Sequence, residues 1–245
     1  WGYQKRLKAS GGDIWSIRMS EIIKGFGTLT PLQKDFMNIL ANLPDKEQFY
    51  LAGGTALSEY YLGHRLSFDL DYFTGTEDLI LPLSYQIETA CQKKGLSLKV
   101  VRRFSTFVEL LAEKDNESFK IDIALDSPFR FEMPVLSNEG IYINDYPDLR
   151  VDKLLAYFGR AEPRDAVDLY FIMQKESPEK LLEQAAQKDT GFDIYWFAIA
   201  LNRCENFPDE IERWPVKALK PFDPRALKSA FLDWAVKLMD KAMKK

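Results

Sequence analysis

Phe49-Tyr50-Leu51-Ala52-Gly53-Gly54-Thr55-Ala56-Leu57-Ser58 leads, after Glu59-Tyr60-Tyr61, into Leu62-Gly63-His64-Arg65-Leu66-Ser67-Phe68-Asp69-Leu70-Asp71-Tyr72-Phe73. The apolar run Phe49 to Ala52 reads as a short buried strand, and the glycine pair breaks it. From Thr55 to Leu62 the apolar residues Ala56, Leu57, Tyr60 and Tyr61 return at helical spacing. Phe68 to Phe73 then alternates, so that Phe68, Leu70 and Tyr72 face one way while Asp69, Asp71 and Phe73 face the other. The order is strand, glycine turn, helix, strand, with two carboxylates on one face.

That pattern has a chemistry. Aspartates at i and i+2 on a strand offer hard oxygen donors side by side, a geometry suited to Mg²⁺, and their mutual repulsion makes the pair costly without a cation. The competing reading is a solvent-facing sheet edge. A glycine pair between a strand and a helix lets backbone N–H groups approach a phosphate at the helix N-terminus, with Thr55 or Ser58 as a further hydroxyl donor. Steric need at a tight turn is the competing reading there. Asp122, mid-strand between Ile121 and Ile123, is a third carboxylate that either ligates a second metal or stands as an ordinary exposed strand residue. Taken together, a phosphate cradle one short helix ahead of a carboxylate pair is what handling a nucleoside triphosphate requires.

Outward from this stretch, Thr30-Pro31 opens a helix with Thr at N-cap and Pro at the first helical position, carrying Leu32, Phe36, Ile39, Leu40 and Leu43 inward until Pro44-Asp45. Residues 80 to 95 read as a helix ending at Gly95; 96 to 101, 106 to 111 and 119 to 125 read as strands. From about residue 150 the character changes to helices at 148 to 160, 163 to 175, 177 to 188, 192 to 203 and 224 to 244. The expected division is a lead-in over 1–30, an α/β catalytic domain over 31–147, and a helical region over 148–245 that completes the site.

Composition narrows the class. With 245 residues and 46% hydrophobic side chains the chain has ample core-forming material. Cys91 and Cys204 lie far apart without metal-type spacing, no apolar run approaches the roughly 18 residues that span a bilayer, and the opening Trp1-Gly2-Tyr3-Gln4-Lys5-Arg6 lacks a signal-peptide pattern. A cytoplasmic setting away from membranes is the expectation. A net charge of −4 argues against a surface coated for duplex binding, although residues 211 to 245 hold nine Lys or Arg against four Asp or Glu. That excess reads as a solvated helical face or as a nucleic-acid contact.

The run from Leu51 to Phe73 resembles the signature of the AbiEii/AbiGii toxin family, nucleotidyltransferases of the DNA polymerase β-like superfamily. Two later motifs of that family are matched by Lys153-Leu154-Leu155-Ala156-Tyr157 and by Arg164-Asp165-Ala166-Val167-Asp168, in the family's order. The resemblance implies a polymerase β-like mixed sheet with flanking helices, and transfer of a nucleotide from a nucleoside triphosphate with Mg²⁺ or Mn²⁺. It further implies that Gly53, Gly54 and Thr55 hold the triphosphate, with Ser58, Arg65 and Ser67 added as nucleotide-binding candidates, and that Asp69, Asp71 and Asp122 hold metal. Lys153 would contact phosphate or the nucleophile region, and either Asp165 or Asp168 could orient Lys153 or a base. RNA, tRNA first, is the implied acceptor and an antitoxin protein the implied partner. The alternatives are the same chemistry on a small-molecule or protein acceptor, or an idle binding module. His64, the sole histidine, sits at a helix end and reads as a capping or loop residue without a catalytic role.

Overall fold

A computed structural model describes residues 22–243. The readings for the first part of the lead-in, including Gly11 and Gly12, and for the end of the last helix at residue 244 lie outside the described residues.

Helix α1, Pro31–Leu40, starts on a capping box: the Thr30 hydroxyl accepts from the Gln33 N–H, and the Gln33 side chain accepts from the Thr30 N–H. It ends at Leu40, earlier than the apolar spacing to Leu43 suggests. Seven strands follow in one sheet: β1 Tyr50–Ala52, β2 Leu70–Thr74, β3 Ser97–Arg103, β4 Phe107–Lys114, β5 Glu117–Leu125, β6 Val135–Leu136 and β7 Tyr142–Ile143. Their order is β3-β4-β5-β2-β1-β7-β6. The β2–β5 and β1–β7 pairs are parallel and the rest antiparallel. Helix α2, Gly53–Ala56, continues as a π-wound turn to Leu62, closed by the Gly63 N–H on the Ser58 carbonyl at 2.8 Å. Helix α3, Ile80–Lys93, sits between β2 and β3.

Period-two alternation sorts the sheet into two faces. Leu70 and Tyr72 on β2 stand beside Ile121 and Ile123 on β5, all buried, and Phe36 of α1 packs on Tyr72 and on Phe119 at centroid separations of 6.3 and 5.8 Å. This is the core face, covered by α1 and α3. The other face carries Asp71 directly beside Asp122. Phe68 departs from the expected strand pattern. The strand starts at Leu70, the Ser67 and Phe68 carbonyls are occupied by the Gln33 amide, and the Phe68 ring is 43% exposed.

The helical part is α4 Tyr146–Arg160, α5 Pro163–Met173, α6 Pro178–Lys188, α7 Ile194–Asn202 and α8 Pro224–Ala242. Asp145, Ser177, Asp193 and Asp223 each accept a backbone N–H at a helix start, which is why these helices begin where they do. Helix α4 is central. Its Tyr157 meets Phe231 of α8 edge-on at 5.2 Å, and Phe197 of α7 meets Trp234 of α8 at 5.1 Å. The short strands β6 and β7, absent from the sequence reading, extend the sheet beyond β1, and Ile23 bridges to Ser137 beside them. No helix among the described residues is long and apolar enough to cross a membrane.

Phe36 is fully buried at the junction of α1 and the sheet. Phe36→Ala is expected to cost about 3–5 kcal/mol in denaturant unfolding monitored by circular dichroism, the usual loss for an aromatic core truncation.

Candidate active site

The glycine pair folds as the first turn of α2, and each glycine is required by a neighbour. Gly53 has φ +65°, and a Cβ there would lie 2.0 Å from an Asp71 carboxylate oxygen. A Cβ on Gly54 would lie 2.5 Å from Arg65 Nη2 and 2.9 Å from Ser67 Oγ. The missing side chains therefore let the Asp71 carboxylate, the Arg65 guanidinium and the Ser67 hydroxyl close on the helix start, where the dipole favours negative charge. Two expected hydroxyl donors are otherwise engaged. Thr55 is buried with its hydroxyl on the Asp69 carbonyl. Ser58, also buried, donates to the Arg65 carbonyl, so the structure places it outside the cavity, as a brace for the 58–65 turn.

A cavity of about 650 Å³ opens over this turn and the polar face of the sheet. It brings together Gly53, Gly54, Arg65, Ser67, Asp69, Asp71, Asp122 and Lys153. Asp71 and Asp122 are register neighbours on β2 and β5, while Asp69 lies just ahead of β2. Lys120 Nζ sits 2.6 Å from Asp122 Oδ2, and Arg164 Nη1 sits 3.7 Å from Asp69 Oδ2. Burial pushes the Asp71 carboxyl above its ordinary range, with the charges of Asp122 and Asp69 adding to the effect and Lys153 and Lys120 opposing it. Asp122 Oδ1 is buried without a hydrogen-bond partner among the described residues.

The orphaned oxygen, the crowded negative charge and the all-oxygen donor set fit a hard divalent cation. As they stand, no three His, Cys, Asp or Glu side chains among the described residues converge closely enough to hold a metal ion, and Lys120 and Arg164 pair with two of the carboxylates.

Behind the cavity, Asp168 is the centre of a buried network. Arg65 donates through Nε at 2.6 Å and Nη2 at 2.9 Å, Lys153 Nζ approaches at 2.8 Å, and His64 Nε2 lies at 2.7 Å. A carboxylate only accepts, so the His64 ring carries its proton on Nε2. Burial lowers the pKa of that imidazole against the raising influence of Asp168, which keeps it neutral. Burial alone would raise the Asp168 carboxyl. The charges of Arg65 and Lys153, with hydrogen bonds from Arg65 and His64, hold it well below the ordinary carboxylate range. Asp165, also buried, accepts both Arg160 Nε at 2.6 Å and Nη2 at 2.9 Å, and lies 3.6 Å from Lys153 Nζ. Neither acid lines the cavity; both hold cations that do. His64 is thus part of a polar core and does not act as a helix cap.

Several cavity residues escaped the sequence reading. Asp152 faces the cavity one residue before Lys153 and is pushed up to about 6 by burial, with Lys188 opposing at 2.5 Å. Its helix was legible but its face was not, since Lys188 lies on α6. Lys120 shares the Asp122 face by simple alternation, a signal the sequence carried. Tyr50, bonded to Asp126 and covered by Arg130 at 4.2 Å from its ring centroid, marks the far end. Trp214, Pro215, Val216 and Lys217, from the segment between α7 and α8, form a wall that pairing alone brings there: the Leu66 N–H donates to the Lys217 carbonyl at 2.8 Å and the Leu219 N–H to the His64 carbonyl at 2.8 Å.

A mixed sheet with a glycine turn, a carboxylate row and a helical cover is a fold this chain shares with solved nucleotidyltransferases. The fold is shared with JHP933 of Helicobacter pylori, at a TM-score of 0.58 and 20% identity over 87% of this chain and 91% of that one. It is shared as well with MenT4, a nucleotidyltransferase toxin of Mycobacterium tuberculosis H37Rv, at a TM-score of 0.55 and 17% identity over 85% of this chain and 82% of that one. An uncharacterized protein of Aquifex aeolicus (strain VF5) is 32% identical over 165 residues, 64% of this chain and 73% of the relative. The profile of the family described as "Nucleotidyl transferase AbiEii toxin, Type IV TA system" matches residues 35–235, and the chain belongs to that family. It is a nucleotidyltransferase.

Two outcomes follow for the network and the turn. Asp168→Asn leaves Arg65 and Lys153 buried beside a neutral amide, and is expected to lower unfolding free energy by about 3–5 kcal/mol. Because the folded carboxyl titrates below its ordinary value of 3.8, its contribution is complete above that pH and is lost as pH falls below it, so the wild-type advantage over Asp168→Asn should shrink in acid unfolding below about pH 4. Gly53→Ala is expected to cost roughly 1–2 kcal/mol from the left-handed backbone, and to lower activity further by displacing the Asp71 carboxylate, measured by thermal unfolding alongside nucleotide transfer.

Proposed function

We propose that the protein transfers a nucleoside monophosphate from a nucleoside triphosphate to an RNA end, tRNA first, as the toxin of a toxin–antitoxin or phage abortive-infection pair in the cytoplasm. The observation that carries the reading is the single cavity in which the glycine turn, Arg65, Ser67 and Lys153 meet the carboxylates Asp69, Asp71 and Asp122. The RNA acceptor and the antitoxin partner rest on family membership.

In this reading the N–H groups of Gly53 and Gly54 and the Ser67 hydroxyl bind the β- and γ-phosphates, with Arg65, fixed by its bidentate hold on Asp168, adding positive charge beside them. Thr55 and Ser58 serve by fixing the backbone at Asp69 and Arg65. Asp69, Asp71 and Asp122 would hold Mg²⁺ or Mn²⁺, which when bound supplies charge neutralisation at the reacting phosphate and lowers the pKa of a bound hydroxyl. Lys153, aimed by Asp168 and Asp165, places a positive charge on the same face. Asp122 lies on the side of Asp71 away from β1 and its glycine turn, and its unpartnered oxygen can accept the proton of an attacking hydroxyl there. The hydroxyl oxygen bonds to the α-phosphorus as the bridging bond to the β-phosphate breaks, and pyrophosphate leaves.

The test incubates the protein with Mg²⁺, each labelled nucleoside triphosphate, and total RNA, total protein or a metabolite extract in parallel. Label is expected on RNA, lost on chelation, and reduced at least about a thousandfold by Asp69→Asn, since metal-held charge stabilisation is worth several kcal/mol. Label on protein or on a small molecule overturns the RNA assignment, and no label with any acceptor overturns the activity.

A further inference from the structure

We propose that Lys217 is the mobile cation that closes on the β- and γ-phosphates of the incoming nucleoside triphosphate, an inference that rests on the nucleotide-transfer reading above. Six cationic side chains line the cavity: Arg65, Lys120, Lys153, Arg160, Arg164 and Lys217. Five are already paired. Arg65 and Lys153 hold Asp168, Arg160 holds Asp165, Lys120 holds Asp122, and Arg164 bridges Glu162 and Asp69. Lys217 has no carboxylate within ion-pair distance among the described residues and rests instead over the Phe68 ring, its Nζ 5.2 Å from the centroid.

A cation parked on a half-exposed aromatic face is held more weakly than one in an ion pair, and its four-carbon stem lets it swing to an anion without breaking a salt bridge. The backbone beneath it is fixed. Besides the Leu66 and Leu219 hydrogen bonds, Trp214 is buried, donates its indole N–H to the Pro208 carbonyl at 2.8 Å, and packs edge-on against Phe207 and Phe222. The segment is fixed while its lysine side chain is free to move.

Position selects the phosphate end. The Lys217 segment pairs with His64 to Leu66, the run that leads into Ser67 and whose Arg65 guanidinium crowds Gly54. Lys217 therefore stands on the glycine side of the carboxylates. Asp122, on the acceptor side in the reading above, is separated by β2 from β1 and its glycine turn. A point charge at that place discriminates a triphosphate, or the pyrophosphate it leaves, from a monophosphate. It also explains why the segment after α7, which none of the recognised motifs covers, is folded back across the catalytic face.

The experiment uses the full chain and compares wild type, Lys217→Ala and Lys217→Arg. Steady-state transfer gives KM and kcat for the nucleoside triphosphate, and equilibrium binding with Mg²⁺ but no acceptor compares nucleoside triphosphate with the matching monophosphate. Lys217→Ala is expected to raise KM and the triphosphate Kd by about 10–100-fold, the worth of one charge-assisted hydrogen bond, with kcat within about threefold. Monophosphate binding should stay unchanged and Lys217→Arg should recover most of the loss. Thermal unfolding should not move, since the side chain is exposed and makes no ion pair. The proposal is overturned if the triphosphate Kd stays within about twofold, if monophosphate binding falls equally, or if kcat falls while KM does not. Should wild type transfer no label to any acceptor, the transfer reading fails, and the triphosphate-to-monophosphate comparison still decides the role of Lys217.

Discussion

The buried Asp168 carboxylate is the interaction on which the candidate site depends. It sits on α5 but is satisfied by residues from two other places in the chain: His64 and Arg65 after the π-wound turn, and Lys153 on α4. A fully buried charge is tolerated only when every oxygen is paired, and here four donor contacts from three side chains meet two oxygens. The network costs desolvation, and a well-packed apolar core of the same volume would be at least as stable. Its effect is to fix positions: Arg65 is held against Gly54, and Lys153 is held at the cavity wall, where its charge opposes the upward push on the Asp71 carboxyl.

This also accounts for the neutral histidine. Imidazole is the one side chain here that can donate to Asp168 without adding charge to a site already holding Arg65 and Lys153. Burial and those two cations all act against its protonation. Its Nδ1 is buried without a partner among the described residues, and the ring packs against Phe171 at 5.2 Å. Such a residue belongs to the architecture of the network rather than to proton transfer at the cavity, which it does not line.

What was legible in the sequence follows the range of the interactions. The Asp69–Asp71 spacing, the glycine turn, the α/β order and most helix starts are local, set by alternation, caps and proline, and they read correctly to within a few residues. The nearness of Asp122 to Asp71 depends on the parallel β2–β5 pairing, with two strands and a helix in between, and only the family resemblance supplied it. The partner of His64 lies 104 residues away and that of Asp152 on α6, and no periodicity carries such information. The Ser58 hydroxyl was misplaced for a subtler reason. Regular helical spacing leaves it near the phosphate end, whereas the π-wound turn and the return of the chain at Arg65 give it a backbone carbonyl to satisfy.

Most charges of the cavity are paired with one another, Lys217 standing apart over the Phe68 ring. Lys120 is drawn to Asp122, Arg164 toward Asp69, and Lys153 is shared between Asp168 and the field of Asp71. In the proposed reading, binding of a polyanion together with a divalent cation would be an exchange of partners: the carboxylates would trade protein cations for a metal, and the released cations would face phosphate. An exchange of this kind desolvates little new charge, because each group leaves one counter-ion for another. It also couples the two events. Metal without nucleotide would have to displace Lys120 and Arg164 into a cavity with no anion to receive them, and nucleotide without metal would meet the crowded carboxylates Asp69, Asp71 and Asp122. The arrangement favours the two arriving together over either alone.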